Sequence, residues 1–132
     1  MKTILFSFML LIALLNPALA DAAQTGGHWQ LLGEQEVDFK NDHDRIDVKR
    51  SAGPLRQLRI EVRNAPIEIR DMVVTFADGK TFKPKVKGRF REGSGSQVIY
   101  LPEKERSIDA VEFVYHSTSR SLGKGRVLLY AR

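Results

Sequence analysis

The chain has 132 residues, a formal net charge of +5 and no cysteine. Disulfide staples and structural zinc on thiolates are therefore excluded, and the fold must rest on packing. So modest a charge is compatible with anionic partners without demanding one.

Residues 1–20 read as a signal peptide. Lys2 supplies the positive start, and Ile4 to Leu15 form an apolar run of about 12 residues. That is short of the roughly 20 that a membrane-spanning helix needs. Asn16 and Pro17 break the run, and Ala18-Leu19-Ala20 is a small-residue cleavage signal that places the cut before Asp21. No cysteine follows the cut, so a lipid anchor on an N-terminal cysteine is excluded. The remaining 112 residues carry 20 cations and 16 acids, net +4, and fit one domain. Export without disulfides suits the periplasm, with the extracellular space as the alternative.

Residues 21–28 are small and polar and read as a flexible leader. From Trp29 to Arg132 the apolar residues recur with period 2, and no stretch shows a helical stripe. Trp29 to Gly33 opens the domain. Val37 and Phe39 alternate with charges, as do Ile46 and Val48. Leu58, Ile60 and Val62 share one face of a strand, and Asn64-Ala65-Pro66 is a turn. Ile67 and Ile69, then Met72, Val74 and Phe76, alternate with polar residues, and Asp78-Gly79 is a hairpin signal. Phe82, Val86 and Phe90 share a face, and Gly93 to Ser96 is a flexible turn. Val98 to Leu101, Val111 to Tyr115 and Arg126 to Tyr130 complete the strands, with a polar loop from Ser117 to Lys124. About eight or nine short strands at this spacing predict a single all-β domain over 29–132, an antiparallel sandwich with jelly-roll-like topology.

Two stretches carry enough charge to be sites. DFKNDHDRID, residues 38–47, offers Asp42, Asp44 and Asp47 as oxygen ligands of the kind Ca²⁺ takes. Asp42-x-Asp44 matches the opening of an EF-hand loop, but Asp47 stands where Gly is needed and Gly53 where Glu is needed. The preferred reading is a charged turn between two strands; a cation site and a carboxylate or metal-dependent enzyme are the alternatives. His28, His43 and His116 show no metal-ligand spacing, and no nucleophile elbow is present.

KTFKPKVKGRFR, residues 80–91, places Lys83, Lys85, Lys87, Arg89 and Arg91 at every second position. As one strand these would line a single face over about 26 Å. Pro84 and Gly88 push the segment to a sheet edge. Edge lysines can serve only to block strand pairing. The functional alternative is an anion-binding ridge, which Arg120, Lys124 and Arg126 extend if the fold brings them near. Beyond the inner membrane, its ligands would be lipopolysaccharide phosphates, phospholipid headgroups, acidic glycans or an acidic protein, with no nucleic acid expected.

Three motifs are read together: the LGE, VDF and DHDRI opening, the RNAPIEIRD centre and the basic C-terminal strand. With these the chain resembles, over Trp29 to Arg132, a family of small exported bacterial proteins known as a domain of unknown function. The resemblance implies export and an all-β domain and carries no catalytic or binding residues with it. At the level of architecture alone the strand order is also similar to discoidin-type carbohydrate-binding sandwiches. The expected function is a soluble, non-catalytic binding module, with an enzyme at the Asp-rich stretch or a structural accessory subunit as alternatives.

Overall fold

The computed structural model describes residues 28–104 and 106–132. The signal peptide expected at 1–20 and all of the expected leader 21–28 except His28 lie outside them.

Among the described residues nine strands form: β1 (Gln30–Glu36), β2 (Asp42–Asp47), β3 (Gln57–Arg63), β4 (Ile67–Phe76), β5 (Thr81–Phe82), β6 (Gly88–Phe90), β7 (Ile99–Tyr100), β8 (Ile108–Ser117) and β9 (Arg126–Ala131). One sheet runs β1-β9-β3-β7. The other runs β2-β8-β4-β5, with β6 also on β4. Every pairing is antiparallel. The first strand pairs with the last, the second with the second-last and β3 with β7, while β4 takes β5 and β6. That is a long hairpin rolled up across two sheets, the jelly-roll plan of an antiparallel sandwich.

The alternation in the sequence sets the inner faces. Leu58, Ile60 and Val62 of β3 meet Val111, Phe113 and Tyr115 of β8 in one core, all but fully buried. Along β4 the buried set changes phase, from Ile67 and Ile69 to Met72, Val74 and Phe76. The pairing with β8 shifts between Ile69 and Asp71, so Arg70 is an extra residue in the ladder. A bulge of this kind lets two polar residues follow one another without turning an apolar side chain to water.

The connections follow local chemistry. Phe76 N–H donates to the Lys80 carbonyl (2.8 Å) and Gly79 N–H to the Phe76 carbonyl (2.9 Å), closing a tight β4–β5 hairpin with Gly79 at φ 91°. Asp78 caps it by accepting from Lys80 N–H at 2.9 Å. Asn64, at φ 72°, carries the chain from one sheet to the other rather than into a hairpin.

The stretch 38–47 is not a single turn. Only residues 38–41 are irregular, and Asp42 to Asp47 form the edge strand β2. An edge strand tolerates aspartate at inward positions when a polar partner waits there, as described for Asp44 below.

Ser117 joins the two sheets. Its amide donates to the Asp38 carbonyl (2.7 Å) and its hydroxyl to the Val37 carbonyl (2.7 Å), while Oγ accepts from Gly125 N–H (2.8 Å). All of this is buried, with Ser117 at 3% exposure. Ser117→Ala strands a buried donor and a buried acceptor at once. It is expected to lower unfolding free energy by about 1–3 kcal/mol, measured by chemical denaturation against the unaltered chain.

Candidate functional site

The basic segment sits on the free edge of the five-stranded sheet, but it is not one strand. β5 pairs with β4 at Val74 and Thr75, and β6 pairs with it at Ile67 to Ile69. Between them residues 83–87 leave the ladder. Pro84 has no amide hydrogen to give, and β4 bulges opposite at Arg70. The arc closes on itself, with Val86 N–H donating to the Pro84 carbonyl at 3.0 Å. The alternation survives the break. Pro84 and Val86 are buried, whereas Lys83, Lys85, Lys87, Arg89 and Arg91 are all exposed.

Arg70 and Asp71, delivered by the bulge, face the arc. With Lys83, Pro84, Lys85 and Lys87 they line an open cavity of about 660 Å³. Four cations thus surround one carboxylate. Asp71 is held by its own backbone, Oδ1 accepting from Met72 N–H at 3.1 Å, and its Oδ2 lies 3.8 Å from Lys83 Nζ. Arg70, Lys85, Lys87, Arg89 and Arg91 form no ion pair with any described residue. Some cations elsewhere are matched: Arg45 with Asp47, Asp109 and Glu112, Arg59 and Arg63 with Glu61, Arg106 with Asp78. Hydrogen bonds from Arg59 and then Arg63 hold the Glu61 carboxyl below the usual carboxylate range. Like charges left side by side along an edge repel, and an anion is what would relieve them.

Arg120, Lys124 and Arg126 do not extend this edge. Arg126 pairs with Glu34 (2.9 Å), Lys124 with Asp38 (3.7 Å), and Arg120 lies over the Phe39 ring. Those partners belong to β1 and the turn after it, on the opposite side of the sandwich. The Phe39 amide, and then Lys124, hold the Asp38 carboxyl below its ordinary range.

The aspartates of 42–47 are also divided. Asp42 and Asp44 share the inward side of β2 with Ile46, and Asp47 points outward beside Arg45. Asp42 accepts from Asp38 N–H (3.0 Å), and Asp44 from the Tyr115 hydroxyl (2.8 Å). The period of two in a strand forbids the three carboxylates from converging. β2 and β6 lie on opposite edges of their sheet, so these acids do not neutralise the ridge. His43 pairs with Glu112 (3.0 Å) and His116 with Glu68 (3.4 Å), on different strand pairs. Among the described residues no three His, Asp or Glu side chains are grouped to hold a metal ion. Nor is any helix among them long and apolar enough to cross a membrane.

Sequence reasoning missed Arg70 and Asp71. The available signal was the phase change between Ile69 and Met72, two consecutive polar residues inside an alternating run. It also missed the far face of the four-stranded sheet. There the Arg59 guanidinium lies over both Trp29 (4.9 Å) and Tyr130 (4.4 Å), and Arg132 lies over Trp29 (4.3 Å). These contacts tie the segment before β1 to the end of the chain.

The model of a family described as a domain of unknown function (DUF2541) matches residues 5–131. The chain belongs to that family. The membership bears out the resemblance to a family of unknown function. No curated protein matches the chain. The solved structure of Pseudomonas aeruginosa AlgX is similar at a TM-score of 0.50 and 12% identity, over 86% of this chain and 28% of that one. The chain thus spans little more than a quarter of AlgX, and identity this low speaks to fold alone.

The Tyr115 phenol is fully buried and is pushed well above its ordinary range, first by burial and second by the Asp44 carboxylate. Below about pH 10 the phenol is neutral in both folded and unfolded chains; above it only the unfolded chain sheds the proton freely. Stability from this residue is therefore full below about pH 10 and falls as pH rises further. An alkaline absorbance titration should show one tyrosine that ionises only with unfolding, and Tyr115→Phe should remove that late step.

Proposed function

We propose that this protein is a non-catalytic periplasmic binding module that holds an anionic envelope component on the edge formed by Lys83, Lys85, Lys87, Arg89 and Arg91, with Arg70 beside them. The supporting observation is the arrangement: Lys83, Lys85, Lys87, Arg89 and Arg91 stand exposed at every second position with Arg70 beside them, and of these six only Lys83 lies within ion-pair distance of a described acid. A row of cations that served only to block strand pairing would not require a cavity of about 660 Å³ behind it. The signal peptide expected at residues 1–20 supports export, which would put the edge within reach of lipopolysaccharide phosphates, phospholipid headgroups and acidic glycans. An acidic protein surface would be read by the same charges.

The triple variant Lys85→Glu, Lys87→Glu, Arg89→Glu tests this reading. Each basic residue near an anionic surface contributes about 1 kcal/mol, so losing three is worth on the order of a hundredfold in affinity. Cosedimentation with lipopolysaccharide and with anionic vesicles at low salt should show that loss. The melting temperature should hold or rise, because the reversal relieves repulsion between neighbours. Unchanged binding of lipopolysaccharide, anionic vesicles and peptidoglycan would overturn the assignment.

A further inference from the structure

The arc 83–87 has a second side. Facing the interior of the sandwich, it borders a cavity of about 430 Å³ that opens between the two sheet edges. Phe82, Val86 and Phe90 form one wall, from the edge carrying β5 and β6. Val98 and Ile99 form the other, from the edge carrying β7. Phe82 and Phe90 are only partly buried and pack directly on the core, so the core itself is the floor. The volume is within the range of small-molecule sites. Ser96 and Gln97 add a polar side to this cavity, and Lys85 lines both it and the cationic cradle of Arg70, Lys83 and Lys87.

We infer that the ligand of the basic edge is an anionic amphiphile, with its charged head in the Arg70–Lys83–Lys85–Lys87 cradle and a single hydrocarbon chain inserted between the sheets against Phe82, Val86, Phe90 and Val98. The inference rests on the anion-site reading and adds the class of ligand to it. A soluble anion would satisfy the cations and leave the apolar walls of Phe82, Val86, Phe90 and Val98 wet. A neutral hydrocarbon would fill the cavity and leave the cations facing one another. A molecule that is charged at one end and apolar at the other meets both needs at a separation of one side chain, Lys85. Removing the apolar walls from water is the source of the extra affinity.

The two edges of the sandwich differ. At the other end of the sheets the edges are in contact: a Cβ on Gly33 of β1 would lie 2.8 Å from Ile46 Cγ2 of β2. On the ligand side, residues 94–96 run along β3, Val62 N–H donating to the Ser94 carbonyl (2.8 Å) and Ser96 N–H to the Ile60 carbonyl (2.9 Å). This anchors the Val98–Ile99 wall to the sheet while the β5–β6 edge stands apart from it.

Titration calorimetry with a series of alkyl phosphates, butyl to octyl, kept below the concentrations at which they aggregate, tests the inference. Inorganic phosphate and a neutral octyl glycoside serve as the two half-ligands. Affinity should rise about fourfold for each added methylene that is buried, and level off once the cavity is full. Val98→Asp should flatten the series and leave inorganic phosphate unaffected. Lys85→Glu with Lys87→Glu should weaken every phosphate in it. Equal binding of inorganic phosphate and all alkyl phosphates would overturn the amphiphile and leave the anion site standing. Octyl glycoside binding as tightly as octyl phosphate would overturn the headgroup cradle. Failure of every phosphate, together with lipopolysaccharide, to bind would overturn both readings. The length series on the unaltered protein decides the matter even if Val98→Asp fails to fold.

Discussion

The sandwich depends on its last two strands lying in the middle. β9 is held between β1 and β3, and β8 between β2 and β4, so each sheet is two separate halves until the end of the chain is in place. These strands also carry the most continuous apolar faces, with Val111, Phe113 and Tyr115 in β8 and Val127, Leu129 and Ala131 in β9. Ser117 and Gly125, at the two ends of the loop between them, hydrogen-bond one another and the segment after β1. The tie is small, but it fixes where β8 hands over to β9. Pairings this distant in sequence make for slow closure, because chain entropy is lost before the contacts reward it.

With the middle fixed, the edges are free to differ. On one side Gly33 lets β1 approach Ile46 of β2, and the two sheets meet. On the other, the strand that should run alongside β4 is broken into β5 and β6, and the arc between them stands out from the sheet. Proline on one strand and an extra residue on its neighbour act together. Neither alone would open a concavity, since a ladder recovers around a single missing hydrogen bond. The cations are thus set around a hollow as well as along a line.

Much of this was legible. The buried set of β3, β4, β8 and β9 follows from period-2 alternation, and Asp78-Gly79 marks its hairpin because only a residue free to adopt positive φ closes that turn. Pro84 and Gly88 announce an edge for the same local reasons. What could not be read is anything that depends on which strands become neighbours. Asp44 looks like a metal ligand in sequence and is a hydrogen-bond acceptor for a tyrosine 71 positions away. Arg126 looks like part of the basic ridge and is committed to Glu34 across a strand pair. Arg70 looks like one more polar residue in an alternating strand. Its place in the cradle arises only because β8 skips it.

That last feature has a meaning for how such a surface can change. A bulge residue is tied to neither face of its sheet: Arg70 is outside the ladder register and exposed. Exchanging it moves no core side chain. Position 70 is therefore a point at which related chains can drift in what they hold, altering the charge or shape of the hollow while the architecture around it stays under constraint.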